Sequence, residues 1–225
     1  MSIIKNYLYN TVYQIMSMLI PLITMPYLTR VFDPEQLGLN SLSLSIANYF
    51  MLFGVLGMQM YGNRQIAYVR DNKEKLAKTF WSLYTVQLAT STVSLIVYYV
   101  FISCFTTVNT TIYLIQGLNI ISVMIDISWL FMGLEDFKKV VIRNTFARLV
   151  GLACIFIFGK SPDDLLLYAL LTVLVNIVSI LLMWLYVPRY VGSIVIDKKI
   201  VRRTIKPLLK LFLPQIATQV YTLLA

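Results

Sequence analysis

The chain has no histidine. That removes the commonest proton shuttle and the commonest metal ligand at once. It has two cysteines, Cys104 and Cys154, both in or beside long apolar runs. Two isolated cysteines make neither a disulfide framework nor a metal-ligand spacing. Charge is scarce, at 13% of residues, where soluble domains carry about 25%. There is no Walker glycine loop, no metal-ligand cluster, no nucleophile elbow and no His–Glu pair. An ATP-driven pump or a membrane hydrolase would need at least one of these. The expectation is a protein without covalent chemistry, without cofactor and without bound metal.

What the chain does have is apolar sequence, 59% of its residues. Runs with almost no charge cover roughly 6–29, 36–63, 79–105, 112–134, 144–159 and 165–188. At 1.5 Å per residue each can cross a hydrocarbon core of about 30 Å, the fifth only just. The expected fold class is therefore all-α, a polytopic membrane helix bundle with six complete spans. The first run is too long for a cleavable signal peptide, and no small-residue cleavage site follows it.

The cations fall unevenly between the runs. Lys5 precedes the first. Arg64, Arg70, Lys73, Lys75 and Lys78 fill the second gap. Lys138, Lys139 and Arg143 fill the fourth, with Arg148 just beyond. Seven more, from Arg189 to Lys210, follow the sixth run. The other gaps hold only Arg30 and Lys160. Seventeen against two is the bias that marks cytoplasmic loops, so the amino terminus is expected inside. The net charge of +9 is thereby accounted for by topology and anionic lipid, and no nucleic-acid partner is expected.

Polar residues recur inside the spans at intervals of three and four, which places them on single helix faces. Asn10, Gln14, Ser17 and Thr24 do so in the first span. Ser41, Ser45, Asn48 and Gln59 do so in the second, Gln116, Asn119, Ser122 and Asp126 in the fourth, and Thr172, Asn176 and Ser179 in the sixth. Such stripes glue helices together or line a wet cavity, and the pattern alone leaves both open. Asp126 and Arg148 are charges within spans, which should face protein or water rather than lipid. Counted from the inner turn both lie about 12–15 Å deep, so the two are expected to pair. Pro21 and Pro26 should bend or unwind the outer half of the first helix. Arg30, just beyond them, is either a snorkelling interfacial cation or a cavity cation. Trp81, Trp129 and Trp184 fall near span ends, as an aromatic belt would.

Four stretches carry a resemblance. They are Pro21-Leu-Ile-Thr-Met-Pro-Tyr-Leu-Thr-Arg30 with Asp33-Pro-Glu-Gln-Leu-Gly38, then Tyr61-Gly-Asn-Arg-Gln-Ile-Ala-Tyr-Val-Arg-Asp71, then Asp126-Ile-Ser-Trp-Leu-Phe-Met-Gly-Leu-Glu-Asp136 through Asn144, and Leu211-Phe-Leu-Pro-Gln-Ile-Ala-Thr-Gln-Val-Tyr221. In this order they resemble bacterial O-antigen and capsule repeat-unit flippases, of the multidrug/oligosaccharidyl-lipid/polysaccharide exporter superfamily. The resemblance implies two six-helix lobes around a cavity, and turnover of a polyprenyl-diphosphate-linked oligosaccharide by alternating access in the plasma membrane. Its implied partners are the bilayer, the lipid-linked substrate, and polymerase and other export-pathway proteins. The family's basic cavity maps onto Arg30 first, then Arg64 and Arg148, with Asp126, Asn48 and Gln59 as further cavity residues. Met132 stands where relatives often have Gln, so a sugar contact made there would be absent.

On this reading residues 1–207 are the first lobe and 208–225 begin a seventh helix of an absent second lobe. The alternatives are a multidrug-type cation exporter of the same superfamily, which should favour cavity acids, and a nonfunctional fragment. A membrane glycosyltransferase or acyltransferase would need surface acids, for which Glu135-Asp136 is the one pair to hand.

Overall fold

In the computed structural model the backbone is described for residues 3–224, and side chains for all of these except 3–10, 12–14, 16, 17, 137 and 217–224. Among the described residues ten α-helices follow one another: α1 Ile3–Val31, α2 Pro34–Val55, α3 Met58–Val69, α4 Lys73–Phe105, α5 Thr110–Ile125, α6 Ser128–Gly133, α7 Phe137–Phe158, α8 Leu165–Trp184, α9 Val187–Tyr190 and α10 Lys198–Leu224. The chain is an all-α polytopic membrane bundle. Among the described residues, five helical stretches are long and apolar enough to cross a membrane: Pro34–Val69, Lys73–Phe105, Thr110–Gly133, Lys138–Phe158 and Pro162–Tyr190. The first run of the sequence lies in α1, whose described apolar part is Met18–Val31.

The connections alternate as the charges do. At the basic end, Arg70 bridges Glu135 at 2.6 Å, Tyr190 donates to Asp136 at 2.8 Å, and the Asp197 amide donates to Ser82 at 2.9 Å. The Glu135 hydrogen bond and charge hold the Arg70 guanidinium pKa above its ordinary value. At the opposite end, Gln36 donates to the Pro162 carbonyl at 3.0 Å and Tyr27 to that of Gly159 at 3.0 Å. Gln36, Asn109 and Pro162 also line one cleft there. Even-numbered gaps thus lie at one end and odd-numbered gaps at the other.

The helix ends follow from local chemistry. Pro34 occupies the first turn of α2, where its missing N–H costs nothing, and Gln36 accepts from the Asp33 amide at 3.2 Å. Asn72 caps α4 by accepting from the Lys75 amide at 3.0 Å. Outward faces are apolar, as a lipid solvent requires: Met18, Val93, Leu114, Ile157 and Val178 are all exposed.

α5 packs on α2, α4 and α8, while α7 joins α8 to α1. Two apolar cores form, one near each end. Phe80, Leu83, Trp129 and Phe131 anchor the core at the basic end; Phe32, Tyr98, Ile102 and Ile112 anchor the other. Gln87, Ser91, Ser122, Asp126 and Asn176 fall in the chain intervals between the two.

Of the bending or unwinding expected at the prolines of the first helix, unwinding does not occur, and the helix breaks lie elsewhere. α1 runs unbroken through Pro21 and Pro26, so the outer half is not unwound. Thr24 and Thr29 bond back to the carbonyls of Ile20 and Met25, at 3.0 and 3.1 Å, within the continuous turn. The breaks lie instead where no proline stands. The second span stops at Val55, passes through Leu56 at φ 46° and Gly57 at φ 80°, and resumes as α3. The fourth span stops at Ile125 and resumes at Ser128.

Candidate functional site

The two breaks meet. α3 packs against α6, and their crossing is close because glycines sit at it. A Cβ on Gly62 would lie 2.7 Å from the Trp129 ring, and one on Gly133 would lie 2.6 Å from Cβ of Ile66. Gln59, in the first turn of α3, then reaches Asp126, at the head of α6. Its amide donates to Oδ2 at 3.1 Å.

Asp126 is the hub of this junction. Its backbone is extended, which turns the side chain back over α6. Oδ1 accepts from the Ser128 amide at 2.9 Å and from the Ser128 hydroxyl. Arg143 of α7 closes on the same oxygen at 3.1 Å. Both charged side chains are mostly buried, 17% exposed for Asp126 and 13% for Arg143. A charge-assisted set of this kind satisfies a carboxylate that hydrocarbon would otherwise reject.

The carbonyls freed by the breaks are covered by side chains. Gln87 of α4 donates to those of Val123 at 2.8 Å and Asp126 at 2.9 Å. Trp184 donates to Ile125 at 2.9 Å. Thr90 and Ser91 donate to Gly54, at 2.6 and 3.1 Å. Broken backbone at membrane depth persists only when it is satisfied in this way. Trp129 is fully buried and donates to Gln87 at 2.8 Å. The belt reading of Trp129 and Trp184 is therefore corrected: both indoles serve the break.

From the hub a polar seam runs toward the opposite end. Asn176 donates to Ser122 at 3.3 Å, Asn119 to the Gln116 side chain at 2.8 Å, and Gln116 to Asn40 at 2.9 Å. The stripe of Gln116, Asn119 and Ser122 thus faces α2 and α8, within the bundle.

The six residues singled out in the sequence fare unequally. Gln59 and Asp126 are brought together. Asn48 is half-buried on α2. Arg30 is exposed at the end of α1, and Arg64 is exposed with its guanidinium 5.9 Å from the Tyr61 ring centre. Arg148 is half-buried on α7. The expected Asp126–Arg148 pair is replaced by Asp126–Arg143. The depth count assumed a straight helix through residue 134, and the break at Asp126 invalidates it. Asn10 and Gln14 lie outside the residues described at side-chain level. Gln87 and Arg143 were not foreseen as site residues. The signal for the break was present in Asp126-Ile-Ser128, since Asp followed by Ser two positions on bonds its own backbone and starts a new helix.

Two relatives share this sequence pattern. A protein of Escherichia coli (strain K12) is 24% identical across 99% of this chain and 54% of its own length. One of Shigella dysenteriae is 29% identical across 91% of this chain and 52% of its own length. Both bear the name "Putative O-antigen transporter". The chain spans about half the length of these curated relatives. No solved structure matches it. The family model described as "Polysaccharide biosynthesis protein" matches residues 3–225, nearly the whole chain, and the chain belongs to that family.

Proposed function

We propose that this chain is the first six-helix lobe, residues 1–207, of a two-lobe transporter in the bacterial plasma membrane, with 208–225 opening the seventh helix. The transporter turns a polyprenyl-diphosphate-linked oligosaccharide repeat unit across the bilayer by alternating access. The observation that carries the reading is the family match over residues 3–225, together with relatives named for O-antigen transport. The physics agrees. A sugar head group cannot cross hydrocarbon unaided, so a polar path must be supplied while the lipid tail stays in the bilayer. Two broken spans joined at a polar hub are a common way to build one. No bond is made or broken in the step, so no catalytic residue is called for.

The cation-exporter alternative is disfavoured by the hub. Asp126 is the acid that lies away from the span ends, and Arg143 already neutralises it. Arg30 and Arg64 remain exposed cations that an anionic diphosphate could meet.

Two measurements test the reading. In a flippase-null strain, the full-length protein carrying Arg30→Ala should insert normally but lose surface glycan, and Arg30→Lys should keep part of it. Normal export by Arg30→Ala would return Arg30 to an interfacial anchor. For orientation, single cysteines at 33–36, 107–110 and 161–164 should react with an impermeant reagent outside the cell, and those at 72–75 should not. The opposite labelling would invert the topology.

A further inference from the structure

α7 and α8 run antiparallel and touch along matching stripes. Lys139, Arg143 and Phe146 lie on α7 at intervals of four and three; Ser179, Met183 and, just beyond the helix end, Tyr186 do so on the facing chain. The stripes do not close. They leave a cleft of about 170 Å³ lined by these six residues with Ile142 and Leu182. It runs about 10 Å along α7, at 1.5 Å per residue over seven residues. The Tyr186 and Lys139 end of it faces the basic end of the bundle, and Phe146 and Ser179 form the deeper end. Ile142, Phe146 and Leu182 are all exposed, so the cleft opens on the outer surface of this bundle, not into its interior.

The mouth is unusual in its charge. The Lys139 ammonium lies 5.1 Å from the Tyr186 ring centre, and the Arg189 guanidinium lies 5.4 Å from the same ring. Two cations thus lie against one aromatic ring, and Lys138, next along α7, is exposed. Asp136 bridges Lys139, and Asp126 is taken by Arg143 at depth. Among the described residues no salt bridge engages Arg189. An Arg without a carboxylate partner at an aromatic rim can take a phosphate by charge-assisted hydrogen bonds. Below this rim Ile142, Phe146, Leu182 and Met183 make the walls mainly apolar, with Arg143 engaged by Asp126. Basic mouth, aromatic rim and apolar floor between two membrane helices match the two halves of an amphiphile.

We propose that this α7–α8 cleft binds an anionic phospholipid of the leaflet at the basic end. Its phosphate sits on Arg189 and Lys139, and the first segment of an acyl chain lies between Phe146 and Leu182. The cleft shares Arg143 with the Asp126 hub, but its mouth at Tyr186 and Arg189 lies outside that hub, so lipid binding there does not depend on transport.

The test uses the purified full chain, exchanged from nanodiscs holding equal phosphatidylglycerol and phosphatidylethanolamine and read by native mass spectrometry. At least one phosphatidylglycerol should be retained in preference to phosphatidylethanolamine. Arg189→Ala should lower that preference about fivefold, the worth of one cation near an anionic surface. Arg189 is exposed, so the variant should fold, and Arg189→Lys should restore most of the effect. Lys75→Ala, equally basic but on α4, should change nothing. Leu182→Trp should be quenched by phosphatidylglycerol brominated on its acyl chain, and not after Arg189→Ala. Equal retention of the two lipids overturns the proposal. So does a Lys75→Ala effect as large as that of Arg189→Ala, which would mean diffuse surface charge.

Discussion

Asp126→Ala should destabilise the purified protein by about 3–5 kcal/mol, the cost of leaving a buried partner charge alone. The orphan is Arg143, with 13% of its side chain exposed. Gln59 and Ser128 lose their acceptor in the same stroke. Asp126→Asn should be milder, because an amide oxygen still accepts from Ser128, though Arg143 stays uncompensated. The informative variant is the double change Asp126→Ala with Arg143→Met. Removing both charges should recover a large part of the loss, as it does when a buried pair is replaced by apolar side chains. Thermal unfolding in a fixed detergent reads the effect. Single and double losses that simply add would mean that the two groups do not hold each other.

Gly133→Ala should be nearly as damaging. A Cβ there would meet Cβ of Ile66 at 2.6 Å and the backbone oxygen of Asn63 at 2.7 Å. The backbone oxygen cannot rotate away, so α3 and α6 must separate. Overpacking of this kind costs about 1–3 kcal/mol, and more where no neighbour can yield. Separation also draws Gln59 away from Asp126, so the loss should exceed that of packing alone. Gly151 provides the control, since a Cβ there meets nothing within 4 Å. Gly151→Ala, in the body of α7, should be neutral or slightly stabilising. Equal unfolding temperatures for the two variants would show that the close crossing is not needed.

The sequence made the frame of this structure readable because its cause is one-dimensional. Lipid solvent demands unbroken apolar runs, and topology demands cations between alternate ones. Both are written along the chain, and the ends of the bundle sort as Lys138, Arg189 and their companions indicated. The breaks were only partly readable, for the opposite reason. Pro21 and Pro26 are local helix breakers, yet α1 continues through them. Leu56 looks like an ordinary span residue, yet the chain breaks beside it, and Asp126-Ile-Ser128 signals a break without saying what will cover it. What decides is not the residue itself but who covers the freed carbonyls, and those donors, Gln87, Thr90, Ser91 and Trp184, lie on α4 and at the end of α8. The depth count that paired Asp126 with Arg148 failed on the same ground. Gln59 with Asp126 was legible as two polar positions, not as one contact.

The helix that covers both breaks is itself unbroken. α4 runs 33 residues from Lys73 to Phe105, and Gln87, Thr90 and Ser91 occupy barely more than one turn of it. That has a consequence for the order in which the protein is built. When α2 and α3 enter the membrane during synthesis, α4 has not yet been made. An uncovered Gly54 carbonyl in hydrocarbon would cost several kcal/mol, so the cheaper form at that moment is a straight helix through Leu56. The kink can set only after α4 arrives and offers its hydroxyls. α5 and α6 emerge later, beside an α4 whose Gln87 is already waiting, and can break as they insert. One turn of one helix thus acts as a mould, used once on a neighbour already in place and once on a neighbour still to come.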